Sequence, residues 1–137
     1  MRSLSPLETA CKKSDVVLTY GEHTLTEWGM SVSISKTHVS LHDTAFTMTV
    51  NESVIKKGLI LRTRRPGDKI KLQGMQGKSK VLKKLLSEMK LSSDEKDNLP
   101  LIASGDEVLW LVGKRKSRYQ IEQGIVGEFA QITVNSL

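Results

Sequence analysis

The segment Leu59-Ile-Leu-Arg-Thr-Arg-Arg-Pro-Gly-Asp68 joins an apolar strand signal to a sharp turn signal and carries three arginines. Leu59 to Arg64 is predicted as a strand. Arg65-Pro66-Gly67-Asp68 stops it, because proline presets the second turn dihedral and glycine accepts the positive φ of a type II third position. Ile70-Lys71-Leu72 is the predicted return strand. On a strand, Arg62 and Arg64 leave the same face, roughly 7 Å apart from the rise per residue. Two planar guanidinium forks on a rigid strand suit a phosphate, each able to give it two hydrogen bonds. Arg65 and Lys69 flank the turn. The competing reading is that Arg62 or Arg64 is tied up by a carboxylate such as Asp68.

Downstream, Gln73-Gly-Met-Gln-Gly77 reads as a flexible loop, and its backbone amides, with those of the turn, could face phosphate. Ser79 is placed to cap a helix running to about Lys90. Val81, Leu82, Leu85, Leu86 and Met89 share one face, and Lys80, Lys83, Lys84 and Ser87 the other. The start of that helix adds partial positive charge beside Lys78; the plain alternative is an amphipathic helix with a solvated lysine face. Ser92-Ser-Asp-Glu95 is a capping box for a second, short helix that stops before Pro100. Val108-Leu-Trp-Leu-Val112 is an unbroken apolar run, as expected of a strand covered on both faces. A basic cluster, Lys114-Arg115-Lys116-Ser-Arg118, follows it, and a last strand spans Phe129 to Val134.

Upstream, Met30, Val32 and Ile34 alternate with serines, and Phe46, Met48 and Val50 with threonines, the period of half-buried strands. Val16-Val-Leu18 and Val39-Ser-Leu41 are further strand candidates, with turns at Tyr20-Gly21-Glu22 and Asn51-Glu52-Ser53. The fold class is therefore α+β: mostly antiparallel strands, as a β-sandwich or open barrel, with one amphipathic helix near 79–90 and one short helix near 93–98. Residues 1–9 read as a tail or an artificial remnant, 10–57 as a β-rich segment and 58–137 as the segment carrying the basic motifs. Residues 10–137 are expected to form one unit.

The 137 residues are enough for one domain with a real core. The formal charge is +6. Its distribution is more telling: Lys56 to Lys90 holds twelve Lys or Arg against Asp68 and Glu88, a net +10, and the remainder carries −4. One positive field on a mildly acidic body is the footprint of a polyanion-binding surface. Solvated lysines without a partner are the bland alternative. Trp28 and Trp110 sit in apolar patterns and are assigned to the core, so stacking aromatics are scarce and backbone and shape recognition is favoured over base reading.

Catalytic motifs are missing from the sequence. Gly77-Lys78-Ser79 lacks the glycine five positions earlier that a phosphate-binding loop needs; Leu72 stands there. His38 and His42, with His23 and Asp43 at hand, have a zinc-like spacing only on a helix, and the pattern around them is strand-like. Cys11 is the single cysteine, which excludes an internal disulfide and fits a reducing cytoplasm. No apolar run reaches the roughly 18 residues of a membrane span. The expectation is no catalytic residue, no metal and no cofactor in this chain.

Five ordered blocks then carry a resemblance: Arg62-Thr-Arg-Arg-Pro-Gly-Asp-Lys69, Gly74-Met-Gln-Gly77, Lys80-Val-Leu-Lys-Lys-Leu85, Leu99-Pro-Leu-Ile102 and Trp110-Leu-Val-Gly-Lys-Arg115. In order and spacing they resemble the C-terminal domain of bacterial tRNA(Ile)-lysidine synthetases. The resemblance covers about residues 59 to 118. It implies a tRNA-modifying ligase whose N-terminal ATP pyrophosphatase domain uses ATP to attach lysine to the cytidine of a CAU anticodon. The C-terminal domain would hold the isoleucine tRNA on its acceptor-stem side. The implied partners are that tRNA and the N-terminal domain, with a homodimer as an open option. Carried over by motif, the resemblance marks Arg62, Arg64, Lys80, Lys83 and Arg115 as tRNA contacts, and Pro66, Gly67 and Asp68 as the turn. Arg65, Lys69, Lys78 and Lys84 join them from the charge pattern. Lys69 and Lys96 stand where the family pattern has arginine, and Ser92 where it has proline. The runner-up reading is an interaction module that docks its basic face on an acidic partner domain.

Overall fold

A computed structural model describes residues 15–40, 44–72, 78–105, 107–122 and 124–137. The expected tail at 1–9, Cys11, Leu41, His42 with Asp43, the 73–77 loop and Asp106 lie outside these residues.

Strands β1 (Val16–Leu18), β2 (Gly21–Leu25), β3 (Met30–Val39) and β4 (Thr47–Asn51) come first, followed by helix α1 (Glu52–Lys56). Then come β5 (Leu59–Arg62), β6 (Lys69–Ile70), β7 (Lys80–Val81), α2 (Leu82–Glu88) and α3 (Ser93–Asn98). Strands β8 (Leu101–Ser104), β9 (Glu107–Leu111), β10 (Arg115–Lys116) and β11 (Val126–Ser136) complete the chain. Among the described residues they form two sheets. One has the order β1-β5-β8-β9-β6-β7, with β10 also on β9; the other is β2-β3-β11-β4. All pairings are antiparallel except β6 with β9. The expected α+β class with mostly antiparallel strands is what is observed.

The sheets face one another across a core that draws Leu59, Leu61, Ile102 and Trp110 from the first and Val32, Ile34, Met48, Val50 and Ile132 from the second. A second cluster lies on the opposite face of the first sheet, where Leu82, Leu85 and Leu86 of α2 cover Ile70, Leu101, Ala103, Val108 and Leu111. Burying each of those three leucines is worth roughly 1.5–3 kcal/mol, which is what holds so short a helix in place. Because the first sheet is covered on both faces, β9 can be apolar at successive positions, as the run from Val108 to Val112 predicts.

Several expectations need correction. The strand from Leu59 ends at Arg62, not Arg64. The segment after the turn does not return along β5: that strand pairs with β1 and β8, while β6 pairs with β7 and β9. Ser79 does not cap the helix. Lys80 and Val81 are extended against β6, and the helix opens at Leu82, whose amide donates to the Asp68 carbonyl at 2.9 Å. Val81, expected on the apolar face, is 56% exposed. Asn51-Glu52-Ser53 starts a helix: the Asn51 side chain accepts from the Ser53 amide at 3.0 Å, and α1 buries Val54 and Ile55. Strand β4 is buried at Thr47 through Val50 and so is not half-exposed, and Phe46 lies outside it, 53% exposed. The Ser92 capping box and the burial of Trp28 and Trp110 agree with the sequence.

Candidate nucleic-acid interface

The Arg65–Asp68 turn is built as its sequence demands. The Asp68 amide donates to the Arg65 carbonyl at 3.2 Å, and Gly67 has φ +87°, a value that favours glycine. The Asp68 side chain then turns inward. Its Oδ2 accepts from Arg62 Nη1 at 2.9 Å and from the Arg65 amide at 2.8 Å, and its Oδ1 accepts from Arg62 Nη2 at 2.8 Å. The same guanidinium donates to the carbonyls of Thr63 and Gly105, both at 3.0 Å. Arg62 is 1% exposed and Asp68 3%.

This corrects the picture of Arg62 and Arg64 side by side as a phosphate clamp. Leu59 and Leu61 face the inter-sheet core, so strand alternation sends Arg62 to the opposite, covered face of the sheet. There its charge is tolerable only because a carboxylate and two carbonyls surround it. Arg62 ties the turn to the β8–β9 connection and presents nothing to a ligand.

Arg64 lies past the strand end and at the surface. Its Nε and Nη2 both donate to Asp97 Oδ1 of α3, at 3.1 and 2.8 Å. Arg65 pairs with Asp15. Both pairs are partly solvent-exposed and therefore weak. Thr63, Arg64, Arg65, Pro66, Gly67 and Asp68 of the turn, Val81, Leu82 and Lys83 at the start of α2, and Asp97 of α3 line a cleft of about 620 Å³.

Helix α2 links this cleft to a second cationic group. Lys80 Nζ donates to Glu88 Oε1 at 2.5 Å. That contact is the largest cause that holds the Glu88 carboxyl below its usual range; burial opposes it, and the fields of Lys80, Lys84 and Arg115 add to it. Lys80 touches the carboxylate, and Lys84 and Arg115 act on it through space. Arg115 of the cluster at 114–118, separate in sequence, thus lies within electrostatic range of Glu88 on α2. Lys114 likewise acts on Glu95 at the start of α3. Lys83 and Lys84 are exposed on α2, and Lys69, Lys78 and Arg115 are exposed as well.

The expected positive helix terminus does not form as drawn: α2 has seven residues and its first amide is taken by Asp68. Sequence reasoning missed Val81, Asp97 and Gly105 as parts of this region. The spacing of Arg62 and Asp68 was the only signal for their pairing.

Two mostly antiparallel sheets, a helical cover over one of them and a basic turn between its strands β5 and β6 define the class: an α+β domain that presents cations from a braced turn and a short helix. A solved structure described as "Crystal structure of TILS C-terminal domain" superposes with a TM-score of 0.70, covering 90% of this chain and 98% of that one at 21% identity, which shows a shared fold. The family model "TilS substrate C-terminal domain" matches residues 59–127, and the chain belongs to that family. Among curated relatives, the tRNA(Ile)-lysidine synthase of Symbiobacterium thermophilum is 47% identical over 60 residues, which is 44% of this chain and 12% of that protein. The Bacillus subtilis tRNA(Ile)-lysidine synthase is 41% identical over 81 residues, 58% of this chain and 16% of that protein. The chain therefore spans under a fifth of these relatives. No helix among the described residues is long and apolar enough to cross a membrane.

Proposed function

We propose that this chain is the tRNA-holding C-terminal part of a tRNA(Ile)-lysidine synthase. It would hold isoleucine tRNA of CAU anticodon on its acceptor-stem side while an N-terminal ATP pyrophosphatase domain, in the cytoplasm, joins lysine to the cytidine with ATP. The names of the relatives and the family membership support the parent enzyme. One structural observation supports the RNA contact: cations far apart in sequence converge on one surface. Arg64, Arg65 and Lys83 line the cleft, while Lys80 holds Glu88 at the other end of α2, within the fields of Lys84 and Arg115. Lys69 and Lys78 extend the surface. Arg62 and Asp68 are buried and, with Pro66 and Gly67, set the shape of the turn.

Phosphate contacts release condensed counterions, so affinity should fall steeply as salt rises. Titration of the chain with unmodified tRNA between low and moderate salt tests this. Undetectable binding at low salt, or binding indifferent to salt, overturns the proposal. The alternative, docking on an acidic protein domain, draws on the fact that Arg64 and Arg65 already hold carboxylates. It requires capture of the partner domain to survive nuclease treatment undiminished.

A further inference from the structure

The cleft beside the turn has walls of two kinds. Arg64, Arg65 and Lys83 are cationic, whereas Pro66 and Val81 are apolar. Val81 is 56% exposed in the most basic part of the chain, although its neighbour Leu82 is buried and strand β7 could have carried a polar residue there. An exposed valine contributes nothing to a purely ionic contact. A volume of about 620 Å³ lies in the range of small-molecule sites and is ample for one nucleotide. Asp97 supplies the other half of the observation. One of its oxygens takes both Nε and Nη2 of Arg64, and a phosphate oxygen would engage the same fork in the same way.

We propose that this cleft seats one unpaired nucleotide of the bound RNA. Its base or sugar rests against Val81 and Pro66. Its phosphate takes the Arg64 fork in place of Asp97, with Lys83 supplying the second charge. Asp97 thus acts as a stand-in anion that keeps Arg64 oriented in the free protein and lowers affinity for phosphates that lack a base to follow them. The inference rests on the RNA-binding reading above, and the experiment separates failure of one from failure of the other.

The intact chain is titrated, at fixed salt, with a stem-loop RNA carrying a four-nucleotide single-stranded extension at its 3′ or its 5′ end. The control is a blunt stem-loop lengthened to the same number of phosphates. One extended RNA should bind about fivefold tighter than the control, the scale of covering part of one apolar side chain. Val81→Ser should remove most of that gain and weaken blunt binding far less; serine is also a good residue at this helix-capping position, so the fold survives. Asp97→Asn should strengthen binding of the extended RNA several-fold more than Asp94→Asn, which removes the same charge from the same helix outside the cleft. Equal affinity for extended and blunt RNA overturns the inference while leaving RNA binding intact. So does a gain untouched by Val81→Ser, or identical effects of the two aspartate variants. Binding of neither RNA overturns both readings.

Discussion

Replacing Arg62 with methionine removes a guanidinium that makes four hydrogen bonds, two of them to Asp68 at 2.9 and 2.8 Å. Asp68 is 3% exposed, so water cannot take over the lost contacts. Removing one partner of a buried ion pair costs roughly 3–5 kcal/mol, chiefly because the other charge stays buried and unpaired. Against a typical total stability of roughly 5–15 kcal/mol this is a large loss. Asp68→Asn should cost a similar amount, since it strands the guanidinium. The Arg62→Met, Asp68→Asn double variant buries no charge, and its cost should fall at least about 2 kcal/mol short of the summed single costs, as expected of directly coupled groups. The assay is urea unfolding of the four proteins at neutral pH, paired with tRNA titration of each one that folds. The reasoning fails if Arg62→Met shifts stability by less than about 1 kcal/mol while tRNA binding collapses, which would make Arg62 a ligand contact. Strict additivity in the double variant would refute it equally, because uncoupled charges would not need one another to be buried.

Three further outcomes follow from the same geometry. Gly67→Ala should destabilise by roughly 1–2 kcal/mol, because φ is +87° while the space around the new methyl is open; asparagine there should cost less by the same unfolding assay. Ser92→Ala should cost about 1 kcal/mol by removing a helix cap. The Ser92 amide, the largest cause, and the Ser92 hydroxyl hold the Glu95 carboxyl below its usual 4.5. That stability is present above the ordinary carboxylate range and lost as pH falls through the lowered folded value; Glu95→Gln should therefore flatten the acid limb of a stability–pH profile. Arg64→Ala and Lys83→Ala should each lower the salt slope of tRNA binding by about one, while costing no more than about 1 kcal/mol in stability.

Much of the fold was legible where local chemistry is self-sufficient. Arg65-Pro66-Gly67-Asp68 encodes its own turn, Ser92 and Glu95 their own capping box, and Val32 and Ile34 their own buried face. What escaped depends on partners distant in sequence. Lys80 and Val81 look helical by pattern, yet β6 claims them as a strand and the Asp68 carbonyl meets the Leu82 amide one residue later. Asn51-Glu52-Ser53 has the composition of a turn, and only the packing of Val54 and Ile55 into the inter-sheet core makes it a helix start. Arg62 is the instructive case for the site. Charge suggests surface, but Leu59-Ile-Leu runs straight into it on a sheet covered on both faces. Its guanidinium is buried with Asp68, six positions on, across a turn that brings the two together. That Arg115 acts on a carboxylate of α2 could not be read locally, because the path from β9 to β10 decides it.

The central claim is the location of the RNA surface. Amide chemical shifts of the isotope-labelled chain, followed as unmodified tRNA is added, test it directly. The account predicts that changes cluster at Thr63–Gly67, Val81–Lys84 and Lys114–Arg115, with the edge strand β2 and its neighbour β3 left unmoved. Changes concentrated on β2 and β3, with the turn and α2 silent, would contradict it.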